Sequence, residues 1–437
     1  MTFESAKDFL LRRARERGVD AEVLGTSQRE LTLGAAEGRV EEISHAVRGG
    51  VGVRVVDDGR VGYASSEALD ETSLEWMLDE AVENAALQTR GGAVLLEGGA
   101  LGRHDLIGEG LSAAVEAKAD AVVSLERSLR ADERVDALAF ARYAESETEA
   151  VLGSTRGADG GYRNGYSVLM AGPVMKRGES VKQGWDIDLA KEFHALDPSR
   201  TSQTILERVG RHLGARPLPT GRLPAVFEPE VTAAVLQLLV VSLSGKTVAE
   251  GKSRLAQRLG ERIASEQVTL VDDPTLTHGL ASRPFDAEGT PARRTPVIER
   301  GVLRSFLHNS DTARRTGQTN TGHAARSYAS TLGVSISNLL LEPGAGVTLD
   351  DGVIVTDVMG VHAGANPISG DVSVQGHGLR VEGGETYPVD NFAIAFNLFR
   401  LLEQVEAVGD DLTWRPGGGG IVGAVSLQVD ALSFAGS

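Results

Sequence analysis

Residues 360–371, GVHAGANPISGD, place His362, Asn366, Ser369 and Asp371 within twelve positions, beside Gly360, Gly364 and Gly370. These types could do chemistry together. An imidazole transfers a proton or binds a metal near neutral pH, and a carboxylate accepts hydrogen bonds or ligates. The same residues also describe a sharp turn. Gly364 and Gly370 can take positive φ, Pro367 fixes the entry to a strand, and Asn366 can bond its own backbone.

The nine histidines narrow the options. None is followed by Glu, and no two stand three to five residues apart. A helical zinc-protease site needs two histidines one turn apart and a glutamate as general base, so that arrangement is excluded. A metal could still be assembled from distant residues such as His323, His362, His377 and Asp371. Cysteine is absent, which removes disulfides, thiolate nucleophiles and sulfur ligands. SGKT at 244–247 has Val240 where a phosphate loop needs its first glycine, and no G-x-S-x-G elbow occurs.

Composition sets the partners. The 437 residues carry a net charge of −17 with no long Lys/Arg run, so nucleic acid and anionic membrane surfaces are poor partners. The longest apolar stretch, 231–243, is too short to span a bilayer, and the charged start has no secretory apolar core. These features predict a soluble cytoplasmic protein.

The elements that must position such residues follow from periodicity. Phe3, Ala6, Leu10 and Ala14 predict an amphipathic helix over 3–17. Helices are expected at 70–88 with Asp70 as N-cap, at 111–131, and at 198–214 with Pro198 early and Gly214 late. Asp57-Asp58-Gly59 turns a hairpin within 51–65, and 135–152 and 162–189 read as strands. Prolines 217, 219 and 224 mark a boundary at 215–225. The expected fold is α+β. An N-terminal α/β domain (1–215) has a mixed sheet and flanking helices, and a C-terminal β-rich, barrel-like domain (222–437) holds a buried helix at 229–244. A second helix at 253–265, a hairpin around Gly301 and a strand at 423–432 complete the reading.

Longer blocks carry a resemblance. VTDVMGVHAGANPISGDVSVQGHGLRVEGGETYPV (355–389), EAVGDDLTW (406–414), the stretch 271–324 and RVEEISHAVRGGVGVRVVDDGRVGYASS (39–66) resemble the TldD/PmbA family. The resemblance implies a bacterial and archaeal group of cytoplasmic proteins tied to peptide degradation and maturation. TldD-type chains of that family hold a metal with an H-E-x-x-x-H helix and a late cysteine. PmbA (TldE)-type chains lack both, and the two types pair around a cavity in which peptide is cut. In this sequence the metal helix would fall near 231–249 and the cysteine near 415–423. The first segment has no His and a Glu only at the 230 and 250 positions flanking it, and the second has no Cys.

The chain is therefore similar to the PmbA type. The expectation is a non-catalytic subunit of a metallopeptidase, with zinc or a similar divalent metal on a TldD-type partner and none on this chain. His362, Gly364, Asn366, Ser369, Asp371 and His323 are then candidates for binding peptide at the wall of a cavity, with no catalytic or metal-binding residue expected. Two alternatives stay open. One is a self-sufficient homodimeric hydrolase using His323, His362, His377 and Asp371, and the other is a peptide-binding module.

Overall fold

The computed structural model describes residues 1–436. Its first half is organised by strands of unusual length. Helix α1 (Phe3–Glu16) leads into β1 (Asp20–Ala36), β2 (Arg39–Asp57) and β3 (Arg60–Ser66). Then come α2 (Glu71–Ala86), β4 (Ala100–Asp105), α3 (Val115–Arg130), β5 (Val135–Ser154), β6 (Asp159–Arg177), β7 (Ser180–Gln183), β8 (Asp186–Ala190) and α4 (Pro198–Gly210). The sheet order is β3-β2-β1-β5-β6-β4, with β7 and β8 also on β6. All pairs are antiparallel except β4 on β6, so the sheet is mixed as expected.

Strands of 17 to 20 residues run roughly 60 Å, longer than one helix layer covers. The helices therefore pack at the two ends. Leu10, Leu74 and Met77 of α1 and α2 cover Val23 and Val53 at one end. Leu125 and Ile205 of α3 and α4 cover Leu33, Tyr143 and Leu169 at the other. The middle of β1 and β5 carries no helix, and its side chains there are polar and partly exposed.

Local signals explain where the helices begin. Thr2 and Ser5 form a reciprocal capping box on α1, Asp70 accepts from Ser73 N at 3.0 Å on α2, and Asp197 caps α4 with Pro198 in its first turn. The third helix starts at Val115 and not at 111, and its N-cap Ala114 offers no side-chain acceptor.

The second half is built from short elements. They are β9 (Arg216–Pro217), β10 (Gly221–Phe227), α5 (Pro229–Leu243), α6 (Gly245–Ala249), β11 (Leu270–Asp272), β12 (Thr295–Glu299), β13 (Val302–Leu303) and α7 (Ser310–Thr316). After them come β14 (Ala324–Ala325), β15 (Gly333–Val334), β16 (Asn338–Leu341), β17 (Gly352–Met359), α8 (Val361–Gly364), β18 (Asp371–Glu382) and β19 (Glu385–Asn397). The chain ends with α9 (Leu398–Glu403), β20 (Val405–Val408), β21 (Thr413–Gly417), β22 (Gly420–Ala424) and β23 (Leu427–Ala435).

Strands β23, β10, β17, β18 and β19 pair in turn, and β19 pairs back onto β23. The result is a closed five-stranded barrel. A second sheet runs β13-β12-β11-β16-β22-β21. The buried helix is α5. It packs on β10 and β17 of the barrel and on β21 and β22 of the second sheet, burying Val235, Leu236, Leu239 and Leu243. No helix among the described residues is long and apolar enough to cross a membrane.

Three expectations are corrected. The segment 253–265 is a chain of turns and not a helix. Ser253 Oγ donates to Ser242 O and accepts from Leu255 N, and Gly260 takes φ +83°, so tertiary contacts and a left-handed residue override the helical period. The strand at 423–432 breaks at Val425–Ser426, where the chain leaves one sheet for the other. Prolines at 217 and 224 do not keep strands out of their segment. Pro224 sits at a register shift of β10 against β23, where no ladder N–H is needed.

Candidate functional site

The 360–371 segment links β17 to β18. Gly360 opens it at φ +79°, and one helical turn, α8, follows. Gly364 lies in that turn and does not take positive φ, contrary to expectation. Its requirement is space, because a Cβ there would overlap the Ser373 carbonyl oxygen. Gly370 does take φ +82°, and a Cβ would press on the Phe399 ring at 2.6 Å.

The polar side chains of this loop bind the loop. Asn366 Oδ1 accepts from Ile368 N at 2.9 Å and Ser369 N at 3.2 Å. Asp371 accepts from Ser369 Oγ at 2.8 Å and Asn397 Nδ2 at 2.9 Å. Those two bonds, Asn397 first, hold its carboxyl below the usual range. Ser242 Oγ from the end of α5 donates to Pro367 O at 3.1 Å, and Arg254 Nη1 donates to Ser369 O at 3.1 Å. The segment is thus a turn docked on α5. Ile368 within it and Met359 just before it are exposed apolar side chains. The His362 side chain lies outside the described residues.

His323 is elsewhere and buried. Its Nε2 meets Asp272 Oδ2 at 3.0 Å and its Nδ1 meets Thr321 Oγ1 at 2.8 Å. Asp272 also accepts from Ser337 N at 2.8 Å and Ser337 Oγ at 2.6 Å. Burial opposes ionisation of Asp272, but the His323 and Ser337 bonds outweigh it and hold the carboxyl below its ordinary value. This network joins β11 to the chain before β16. His308, close by, is pushed down to about 4 by burial and then by His323. His377 lies six residues along β18 from Asp371, roughly 20 Å away, with its ring 6.4 Å from that of His212. The structure therefore does not assemble His323, His377 and Asp371. Among the described residues no three His, Asp or Glu side chains are placed to hold a metal.

A different pair of segments does meet. Gln237 Nε2 on α5 donates to Pro416 O of β21 at 3.5 Å. The turn Gly417–Gly420 lies over α5, and a Cβ on Gly418 would stand 3.1 Å from Ile336 and 3.7 Å from Val240.

Sequence reasoning missed a groove. Two cavities of about 370 and 170 Å³ share Thr148, Tyr162 and Arg283, between the bare middle of the long sheet and the loops 280–287 and 324–328. Phe285 packs edge-on against Tyr162 at 5.4 Å, and Asp286 is pushed up to about 6 by burial and then by Glu288. The sequence block 271–324 contains Arg283 and Asp286, but nothing local distinguishes them from turn residues.

Comparison with known proteins now bears on these segments. Family models match residues 21–85 as PmbA/TldA metallopeptidase domain 1 and residues 220–436 as the PmbA/TldA metallopeptidase C-terminal domain. The chain belongs to the PmbA/TldD family. The metalloprotease PmbA of Escherichia coli O157:H7 is 26% identical over 422 residues, covering 94% of this chain and 92% of that one. A PmbA homolog from Haemophilus influenzae is 26% identical, with the same coverage. A crystal structure of a proposed modulator of DNA gyrase from Thermotoga maritima superposes with TM-score 0.87 at 29% identity, covering 99% of this chain and all of that one. TldE from Thermococcus kodakarensis shares the fold, with TM-score 0.89 at 21% identity over 98% of this chain and 100% of that one. The chain is of the PmbA type.

In a PmbA/TldD chain the α5 junction acquires meaning. The resemblance placed a metal helix at 231–249 and a late ligand at 415–423, and these are the segments that touch. Zinc asks for imidazole, thiolate or carboxylate at about 2.0–2.3 Å. The side chains at this contact are Gln237, Val240 and Ile336, with four glycines. Glu230 at the start of α5 is engaged by Arg208 and Arg415. These residues do not fit a catalytic metal.

Proposed function

We propose that this chain is the non-catalytic PmbA/TldE-type subunit of a cytoplasmic TldD/PmbA metallopeptidase complex acting on unfolded or small peptides. The α5 junction carries the reading. It has the family's architecture, with an amide and apolar groups where a metal would need ligands. A Gln–Val–Ile surface neither polarises a carbonyl nor lowers the pKa of water. The divalent metal, zinc or similar, then belongs to a TldD-type partner. The docked 360–371 turn, with Met359 and Ile368 exposed, serves as part of the wall that closes the chamber.

Peptidase activity on an unstructured peptide tests this, using this chain alone, a TldD-type chain alone and their mixture. The expected outcome is full activity in the mixture only. Full activity from the TldD-type chain alone, or any from this chain alone, overturns the proposal.

A further inference from the structure

Arg283 is a cation with no carboxylate in direct contact, its charge acting on the buried Asp272 only through space. Its guanidinium makes no hydrogen bond or ion pair to any described residue, and its Nε and Nη2 are closed off from solvent with no acceptor. Such groups cost free energy unless something accepts from them, which makes each one a pointer to an absent partner. The other arginines buried in this region each hold a carboxylate, although their Nε atoms are also unpaired. Arg326 Nη2 donates to Glu22 at 2.8 Å, and Arg54 Nη1 donates to Glu288 at 2.9 Å.

Arg283 lies where the two cavities join. Around it are an apolar floor of Leu24, Ala150 and Phe285 and a polar rim of Thr26, Gln28 and Thr148. Tyr162 stands on the sheet side, and Asn164 is anchored through Nδ2 to Leu280 O and Ser282 O at 3.0 and 2.9 Å. Those bonds fix the loop that carries Arg283.

We propose that Arg283 is the carboxylate-binding residue of this groove and that it takes the free C-terminal carboxylate of a peptide, with the last side chain on the Leu24–Ala150–Phe285 floor. With Nε and Nη2 closed off, Arg283 offers a carboxylate one charge-assisted bond through Nη1, whereas a phosphate dianion needs several donors; Arg48, the other unpaired arginine on this groove, is exposed to solvent. Asp286 on the same wall adds repulsion against a dianion. The peptide lies on the face of the sheet, because β1 and β5 are already paired to each other at this level. The proposal rests on the peptide reading above and adds a terminus preference that the subunit itself would supply.

The test uses an unstructured hexapeptide ending in phenylalanine, as free acid and as amide, with equilibrium binding to the full chain by calorimetry. The expected result is a preference of roughly tenfold to a hundredfold for the free acid, the range of a charge-assisted pair, abolished in Arg283→Met. Equal affinities, no binding of either peptide, or an unchanged preference in Arg283→Met overturns the proposal. Should Arg283→Met fail to fold, residue-resolved phenylglyoxal labelling of the wild-type chain gives the same answer. The free acid protects Arg283 and the amide does not, and no protection by the acid overturns the site. Protection by phenylacetate but not by the peptide acid overturns the peptide ligand while the complex reading, scored by cleavage, stands or falls separately.

Discussion

Gln237 and Gly364 illustrate how single residues decide this molecule. Gln237 places an amide, bonded to a neighbouring carbonyl, at the α5 junction. Gly364 permits α8 to lie against the Ser373 carbonyl. Gly364→Ala is expected to destabilise the chain by about 2 kcal/mol or more, since backbone must move to admit the methyl group. Urea denaturation checks this, and a change below about 0.5 kcal/mol contradicts the packing account.

Protons act at the same scale. Burial pushes both His212 and His308 down to about 4. An unfolded histidine titrates near ~6.5, so between these values the unfolded chain binds more protons and stability falls as pH drops. Asp286, pushed up to about 6, has the opposite sign. Its folded form holds the proton up to that pH, so its contribution is lost as pH rises from its unfolded value near ~3.9 through 6. Glu22 and Asp357, also raised by burial, act with Asp286, whereas Asp272, held low by His323 and Ser337, acts with the two histidines, whose titration is expected to lower the melting temperature from pH 6.5 toward 4. His212→Gln, which keeps a donor toward Thr356, should flatten that decline. An identical slope in the variant would show that His212 does not titrate this way.

Elements were legible where their signals were local. The hairpin at Asp58–Gly59, with both residues at positive φ, and the caps Asp70 and Asp197 all follow from sequence chemistry. Asp70→Ala should cost about 1 kcal/mol, and amide exchange should speed up in the first turn of α2 before anywhere else. Signals between distant residues were not legible. Ser426 N and Oγ bond Asp411 at 2.8 and 2.6 Å, which draws the chain out of β22 and into β23. Nothing in the alternation around Val425 indicates that turn. The segment 253–265 fails as a helix for the same reason. The groove is harder still, because Tyr162 and Arg283 come from opposite halves, and the docked loop 360–371 reads equally well as a turn or a site until Ser242 and Arg254 are seen to hold it.

At the scale of the molecule, the halves meet through buried charge. Arg54 and Glu22 of the long sheet pair with Glu288 and Arg326 of the second half, all nearly inaccessible to solvent. Tyr328 closes on β2 where Gly50 and Gly52 leave no room for a Cβ. Arg54→Met strands Glu288 without its cation, while Glu22 keeps Arg326, and should cost about 3–5 kcal/mol. The loss should appear in denaturation as two separated transitions or a lowered m-value, because the halves lose their coupling. The closed barrel leaves no free edge on its five strands, so a partner that pairs strand to strand must use the edges of the other sheets, such as β3 or β21.

The central claim is that this PmbA-type chain contributes architecture and substrate contacts while the metal sits on another chain. Metal content of each chain, measured after reconstituting the active mixture with zinc and separating the subunits under native conditions, tests it most directly. The account predicts close to one metal per TldD-type chain and none above background on this one. A stoichiometric metal retained by this chain would contradict it.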